Sequence, residues 1–384
     1  MKIIDKKDIA NLLKEALKEW NVYAPQKNSG GDIWIEPLPK DKEALEKALN
    51  NIALDDADMV ISQKDIFFPQ LEEILKFKKD GLIDERLESS PKLLFGVKPC
   101  DLKGMLFSDD FFRRNFEDIY YLSRVKNRFI IAIGCLKPPR ATCFCTSAKT
   151  GPFAKEGYDL QFVEKGDTYL VETGSEPGEK FIAKYAKFFK DAGENCGEAV
   201  SGIKSKASSA VELRVDFQNA LELMAKDDFI PEENYKRIGE RCIYCGGCLY
   251  VCPTCTCFNV FDTSTALSVN GGPFDYAQDG SPNDGEIIES QGRTIDNTKD
   301  AEGMRMRNWD ACIFEGYTRE TSGHNPRREK WLRTSRRYEH KLKYDYKVMG
   351  MSGCVGCGRC LASCPVDIGI SKFIEEITQK KRIM

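Results

Sequence analysis

Cys242-Ile-Tyr-Cys245-Gly-Gly-Cys248-Leu-Tyr-Val-Cys252-Pro253 is matched far downstream by Cys354-Val-Gly-Cys357-Gly-Arg-Cys360-Leu-Ala-Ser-Cys364-Pro365. Both stretches read C-x2-C-x2-C-x3-C-P. Four thiols packed so tightly suit an iron–sulfur cubane. A structural zinc takes two well-separated C-x2-C knuckles instead. Three closely spaced thiolates on a tight loop wrap one face of a 4Fe–4S cube. Small residues such as Gly246, Gly247 and Gly358 let backbone N–H groups approach its sulfides and stabilise their negative charge. The proline after each fourth cysteine turns the chain away.

In two-cluster ferredoxins the fourth cysteine of each array ligates the other array's cluster. The same crossing assigns Cys242, Cys245, Cys248 and Cys364 to one 4Fe–4S cluster. It assigns Cys354, Cys357, Cys360 and Cys252 to a second. Two distant stretches are thereby tied into one unit, with the clusters close enough for electron transfer.

Working outward, the 384-residue chain is long enough for two or three domains. Hydrophobic residues make up 41% and charged residues 30%, a globular composition. The spacing and composition predict an α+β protein. Residues 1–226 form a mixed α/β domain, and 227–384 a mainly helical, two-cluster ferredoxin-like domain with a flexible insertion at about 263–303. Asp8–Trp20 has helical periodicity. Lys92–Val97 and Arg128–Gly134 are apolar runs of strand length, and Tyr158–Glu172 reads as a hairpin turning at Lys165-Gly166-Asp167. Lys180–Asp191, Ser208–Lys226 and Ser371–Lys380 read as helices. The first twenty residues lack the purely apolar stretch of an export signal, and no apolar run reaches membrane-spanning length. Sixteen cysteines without such a signal imply reduced thiols, so the expectation is a cytoplasmic protein. A net charge of −3 gives no bias toward nucleic acid, and with only two histidines few general acid–base groups serve hydrolytic chemistry.

A third group lies upstream. Cys100 follows Lys98-Pro99, Cys135 ends an apolar strand, and Cys143 and Cys145 form a C-x-C pair whose alternate side chains point one way. Cys100, Cys135, Cys143 and Cys145 are candidate ligands for a third iron–sulfur cluster or a zinc, with ordinary core cysteines as the alternative. Cys255, Cys257 and Cys312 read as buried small hydrophobes, with roles beside a cluster or as alternative ligands left open. Asp101, beside Cys100, reads as an exposed turn aspartate, with a functional role next to that cysteine as the alternative. The basic stretch Arg327–Lys343 reads as a solvated helical face. The alternative is that its cations lie near anionic clusters or receive an acidic partner.

Several segments in order carry a resemblance: Phe95-Gly-Val-Lys-Pro-Cys-Asp-Leu102, Cys143-Phe-Cys-Thr-Ser147 with Gly151-Pro152 behind it, Cys252-Pro-Thr-Cys-Thr-Cys-Phe258, Trp309-Asp-Ala-Cys312, Gly323-His-Asn-Pro-Arg327 and the two arrays. With these the chain resembles the iron–sulfur electron-transfer component shared by cytosolic nickel–iron sulfhydrogenases (their beta subunit) and by anaerobic sulfite reductase (its iron–sulfur subunit). The stretch Thr263–Gly303 is longer than that family's pattern. The resemblance implies a relay between two partners. One is a flavin/NAD(P)-binding subunit; the other is a catalytic hydrogenase or sulfite (or sulfur) reductase subunit. The chain itself has no G-x-G-x-x-G after a strand and no Walker A. It also lacks the cysteine patterns of a nickel–iron large subunit or a siroheme reductase. The expectation is therefore an electron carrier and not the catalytic chain. Two alternatives stand beside it: an enzyme reducing a small sulfur compound at the N-terminal cysteines, and a zinc-stapled interaction protein.

Overall fold

In the computed structural model, which describes residues 1–54, 58–78, 82–226, 230–264 and 303–379, the two apolar runs lie side by side as parallel strands. The strands are β1 (Lys2–Asp5), β2 (Asn21–Lys27), β3 (Ile33–Pro37), β4 (Leu71–Phe77), β5 (Ile83–Glu85), β6 (Lys92–Val97), β7 (Arg128–Ile133), β8 (Leu160–Lys165), β9 (Thr168–Thr173), β10 (Lys190–Asp191), β11 (Phe258–Ser264) and β12 (Gly303–Trp309). The larger sheet runs β10-β1-β9-β8-β7-β6-β2-β3 and the smaller one β11-β12-β4-β5. Neighbours β2, β6, β7 and β8 are parallel, which places β6 and β7 centrally with both faces covered.

Alternation along these strands sorts the core into two layers. Leu93, Phe95, Phe129 and Ile131 face the helices Ile9–Ala16 and Glu176–Lys184, meeting Leu12, Leu13 and Phe181. Leu94, Val97, Ile130 and Ala132 face the helices Pro99–Phe111 and Ile119–Val125, meeting Leu102, Met105 and Tyr121. The switch from Phe95 to Val97 needs Gly96, where the register shifts and φ is +81°. A Cβ there would sit 2.8 Å from Pro25 Cγ. This bulge steers the chain into Lys98-Pro99, with Pro99 opening the next helix where its missing N–H costs nothing.

A second core joins the helices Phe217–Ala225, Glu232–Arg241, Lys330–Glu339 and Ile370–Gln379. Tyr338 stacks on Phe373 with centroids 4.3 Å apart. The expected mainly helical character of the C-terminal region is incomplete. It also contains β11 and β12, and β12 pairs with β4 from the N-terminal region. That junction is pinned by buried charge: Arg307 Nε donates to Glu72 Oε1 at 2.5 Å and its other arm pairs with Asp118, while Arg124 also pairs with Glu72.

Two expected helices are shifted. Ser175 caps the first by accepting from Gly178 N at 3.1 Å, so it spans Glu176–Lys184 and not Lys180–Asp191. The expected helix Ser208–Lys226 falls instead on the end of Cys196–Ala210 and on Phe217–Ala225, with the non-helical residues 211–216 between them. Of the expected insertion, Thr263, Ser264 and Gly303 belong to β11 and β12; residues 265–302 lie outside the described residues.

Candidate iron–sulfur site

The two arrays share one backbone design. Cys242 caps the helix Glu232–Arg241, and the residues flanking Cys245 take positive φ: Tyr244 at +57° and Gly246 at +74°. In the second array Gly356 at +65° and Gly358 at +73° flank Cys357 in the same places. Alternating left-handed residues curl the backbone so that consecutive N–H groups converge, a nest suited to an anion. Each loop then enters a single helical turn, Gly247–Tyr250 or Arg359–Ala362, and the two turns pack together. Tyr244 occupies a glycine-like position; its hydroxyl donates to Gly239 O at 3.0 Å and so anchors the loop to the preceding helix.

The two arrays approach each other. Cys354 and Cys357 both lie in the electrostatic field of Cys252 and Cys360. Cys248 faces Cys242 and also Cys360. Cys242, Cys354, Cys360 and Cys364 all pack against the helical core. Arg241 donates to Val366 O at 2.5 Å, tying the start of the first array to the end of the second. Burial pushes the Cys248 and Cys357 thiols up to about 12, so iron would have to displace their protons on binding.

A 4Fe–4S cluster fits these residues on one independent observation. Arg337 is 3% exposed and forms no salt bridge with a carboxylate among the described residues. Its Nη1 donates to Ile368 O at 3.2 Å, while its buried Nη2 has no hydrogen-bond partner. The guanidinium faces Cys248, Cys360 and Cys252, cysteines drawn from both arrays. An uncompensated buried cation is costly, and an anionic thiolate-bound cube with sulfide acceptors supplies what it lacks. The reading of Arg327–Lys343 as a solvated face is thus corrected: Arg333, Arg337, Tyr338 and Lys341 are buried. Among the described residues no three His, Cys, Asp or Glu side chains are placed to share a single metal ion.

Cys100, Cys135, Cys143 and Cys145 line one cavity, together with Cys357 and Arg359 of the second array. Burial holds the Cys100 and Cys143 thiols above their ordinary range and lifts Cys145 to about 12. The loop carrying Cys143 and Cys145 lies directly on the second array. Phe144 N donates to Gly356 O at 2.8 Å, Thr142 Oγ1 to Gly358 O at 3.0 Å, and Cys143 Sγ lies 3.5 Å from Cys357 O. Glycine is needed for this contact: a Cβ on Gly356 would sit 2.8 Å from Cys145 Cα, and one on Gly358 would collide with Thr142 O. Asp101 is no exposed turn residue. It is 1% exposed and grips Arg359 through two contacts of 2.5 and 2.7 Å. Arg359 Nε also donates to Met59 O at 3.0 Å.

Cys255, Cys257 and Cys312 form a separate group. Cys255 and Cys312 are buried, as the reading of small core hydrophobes expects, and Cys257 lies between them beside Tyr317. Sequence reasoning missed Lys64, whose surroundings carry no motif; for Arg337 and Lys341 it preferred the solvated face to the alternative of cations beside the clusters.

The profile of a 4Fe-4S dicluster domain matches residues 290–368, a span that holds the second array but not the first. The chain is 28% identical to Sulfhydrogenase 2 subunit beta of Pyrococcus furiosus over 333 residues, 86% of this chain and 87% of that relative. A dicluster-domain match and a likeness running along most of both chains make this chain similar to an iron–sulfur subunit of the sulfhydrogenase type.

Proposed function

We propose that this chain is the electron relay of an oxidoreductase complex. It passes electrons between a flavin/NAD(P)H-binding partner and a catalytic subunit of the hydrogenase or sulfite/sulfur reductase type. Cys242, Cys245, Cys248 and Cys364 hold one 4Fe–4S cluster, and Cys354, Cys357, Cys360 and Cys252 hold the other. Cys100, Cys135, Cys143 and Cys145 hold a third iron–sulfur cluster. When bound, each cluster supplies one-electron storage without bond making or proton transfer.

The protein's part is to fix and insulate. The paired left-handed residues shape the two loops, Arg337 offsets charge between them, and Asp101–Arg359 locks the N-terminal cavity against the second array. The observation that carries the reading is the backbone contact of Phe144 and Thr142 with Gly356 and Gly358. Together with the packing of the two arrays' helical turns against each other, it joins three cysteine groups in one contiguous body, as a relay needs and an isolated binding site does not. The relative's name, a subunit of a sulfhydrogenase, favours hydrogenase-type partners.

Anaerobic iron and labile-sulfide analysis of the purified chain, with EPR of the dithionite-reduced sample, tests this. About 12 Fe per chain is expected, and about 8 would remove the third cluster and leave the other two. Zinc without labile sulfide would end the proposal.

A further inference from the structure

Two lysines from opposite parts of the chain converge on the turn that follows Cys252. Lys64 opens a single helical turn, Lys64–Phe67, in the N-terminal region, and Lys341 lies beyond the helix Lys330–Glu339. They are 7% and 5% exposed. Lys64 Nζ donates to Cys255 O at 3.0 Å and sits 3.8 Å above the Trp309 ring centroid. Lys341 Nζ donates to Thr254 O at 2.9 Å and to Thr254 Oγ1 at 2.8 Å. Thr254 Oγ1 in turn lies 3.3 Å from Cys252 Sγ. Both ammonium groups face Cys252, Cys255 and Cys257.

Their partners are neutral carbonyls, a hydroxyl and an aromatic face. Neither lysine forms a salt bridge among the described residues. The acid nearest in influence to Lys341 is Asp345, which is itself buried. Buried ammonium groups are rarely kept without an anion, because desolvation costs more than neutral hydrogen bonds return. Dispersed lysines would satisfy solubility on the surface, whereas these two converge on one short turn next to a cluster cysteine.

We propose that Lys64 and Lys341 are positioning residues that clamp the Cys252–Cys255 turn and whose paired charge raises the reduction potential of the cluster that Cys252 completes. The inference rests on the reading of that cluster as an electron carrier. Reduction adds one electron to a group that is already anionic. Two fixed cations nearby stabilise the more negative state, and low local polarity strengthens the effect. Lys64 also makes the N-terminal region a contributor to the electronics of the C-terminal cluster.

The test uses the full-length chain with its clusters, in four variants: Lys64→Gln, Lys341→Gln, Lys64→Arg and Lys341→Arg. Gln keeps a hydrogen-bond donor without charge, and Arg keeps the charge. EPR-monitored redox titration is expected to show one cubane signal moving to lower potential in each Gln variant, by about tenfold in the reduced-to-oxidised ratio at fixed poise, which is about 59 mV for a one-electron couple. The other cubane signal stays in place, and the Arg variants track the parent. If a Gln variant loses iron, retention of iron by the matching Arg variant supports the charge role. Gln and Arg variants behaving alike, in potential or in iron content, overturns it. A parent chain lacking about 8 Fe defeats the cluster reading itself, whereas a fully loaded parent with unshifted Gln variants defeats the lysine inference alone.

Discussion

The first and second arrays have the same spacing and the same pair of left-handed residues, yet opposite surroundings. Around the first, Cys245 is exposed and Ile243 is 59% exposed. Around the second, Cys357 is buried, Gly356 and Gly358 press on the backbone of residues 142–145, and Arg359 is locked to Asp101. Spacing dictates how a loop wraps its ligand; the rest of the fold decides which face stays open. One array therefore presents an exposed edge, while the other faces the interior cavity of N-terminal cysteines.

The contrast can be broken most sharply by access. Under a mild chelator in anaerobic buffer, iron is expected to leave in two stages. Mass-spectrometric mapping of alkylated thiols should find Cys242, Cys245 and Cys248 labelled well before Cys354 and Cys357; simultaneous labelling would erase the distinction. Next in size, Asp101→Ala leaves the Arg359 guanidinium buried without its acid, and denaturant titration should register a loss of about 3–5 kcal/mol. Gly358→Ala forces a Cβ against Thr142 O at a positive φ and should cost about 1–3 kcal/mol, read by the same titration. Gly247→Ala in the first array, at the position Arg359 takes in the second, meets only Cys245 Sγ at 3.7 Å and should stay within about 0.5 kcal/mol. A cost at Gly247 as large as at Gly358 would show that the Cβ clearances do not govern these loops.

Much of this was legible in the residues. Lys92–Val97 reads as a strand because six residues offer almost continuous apolar surface, and it is one, buried on both faces. The hairpin at Lys165–Thr168, the helix at Ile9–Ala16 and the terminal helix at Ile370–Gln379 follow from local periodicity and turn chemistry. The four N-terminal cysteines, scattered over Cys100 to Cys145, do line a common cavity. What stayed hidden depends on long-range contact. Nothing local pairs Leu71–Phe77 with a strand beginning at Gly303. Asp101 looks like a turn residue until Arg359 arrives from the far end of the chain. The helix Cys196–Ala210 carries Gly197, Gly202 and several serines, which weaken its periodic signal. A run of Arg and Lys signals water unless anionic neighbours are known, so Arg337 and Lys341 could not be placed inside from composition alone.

The pairing of Ser264 with Gly303 across β11 and β12 has a further consequence. The chain leaves the smaller sheet at Ser264 and returns to it at Gly303, at facing backbone positions, and the ladder runs unbroken from there to Phe258 and Trp309. Because β12 continues onto β4, that ladder fastens the segment following the first array to the N-terminal region, so strain on one reaches the other through backbone hydrogen bonds.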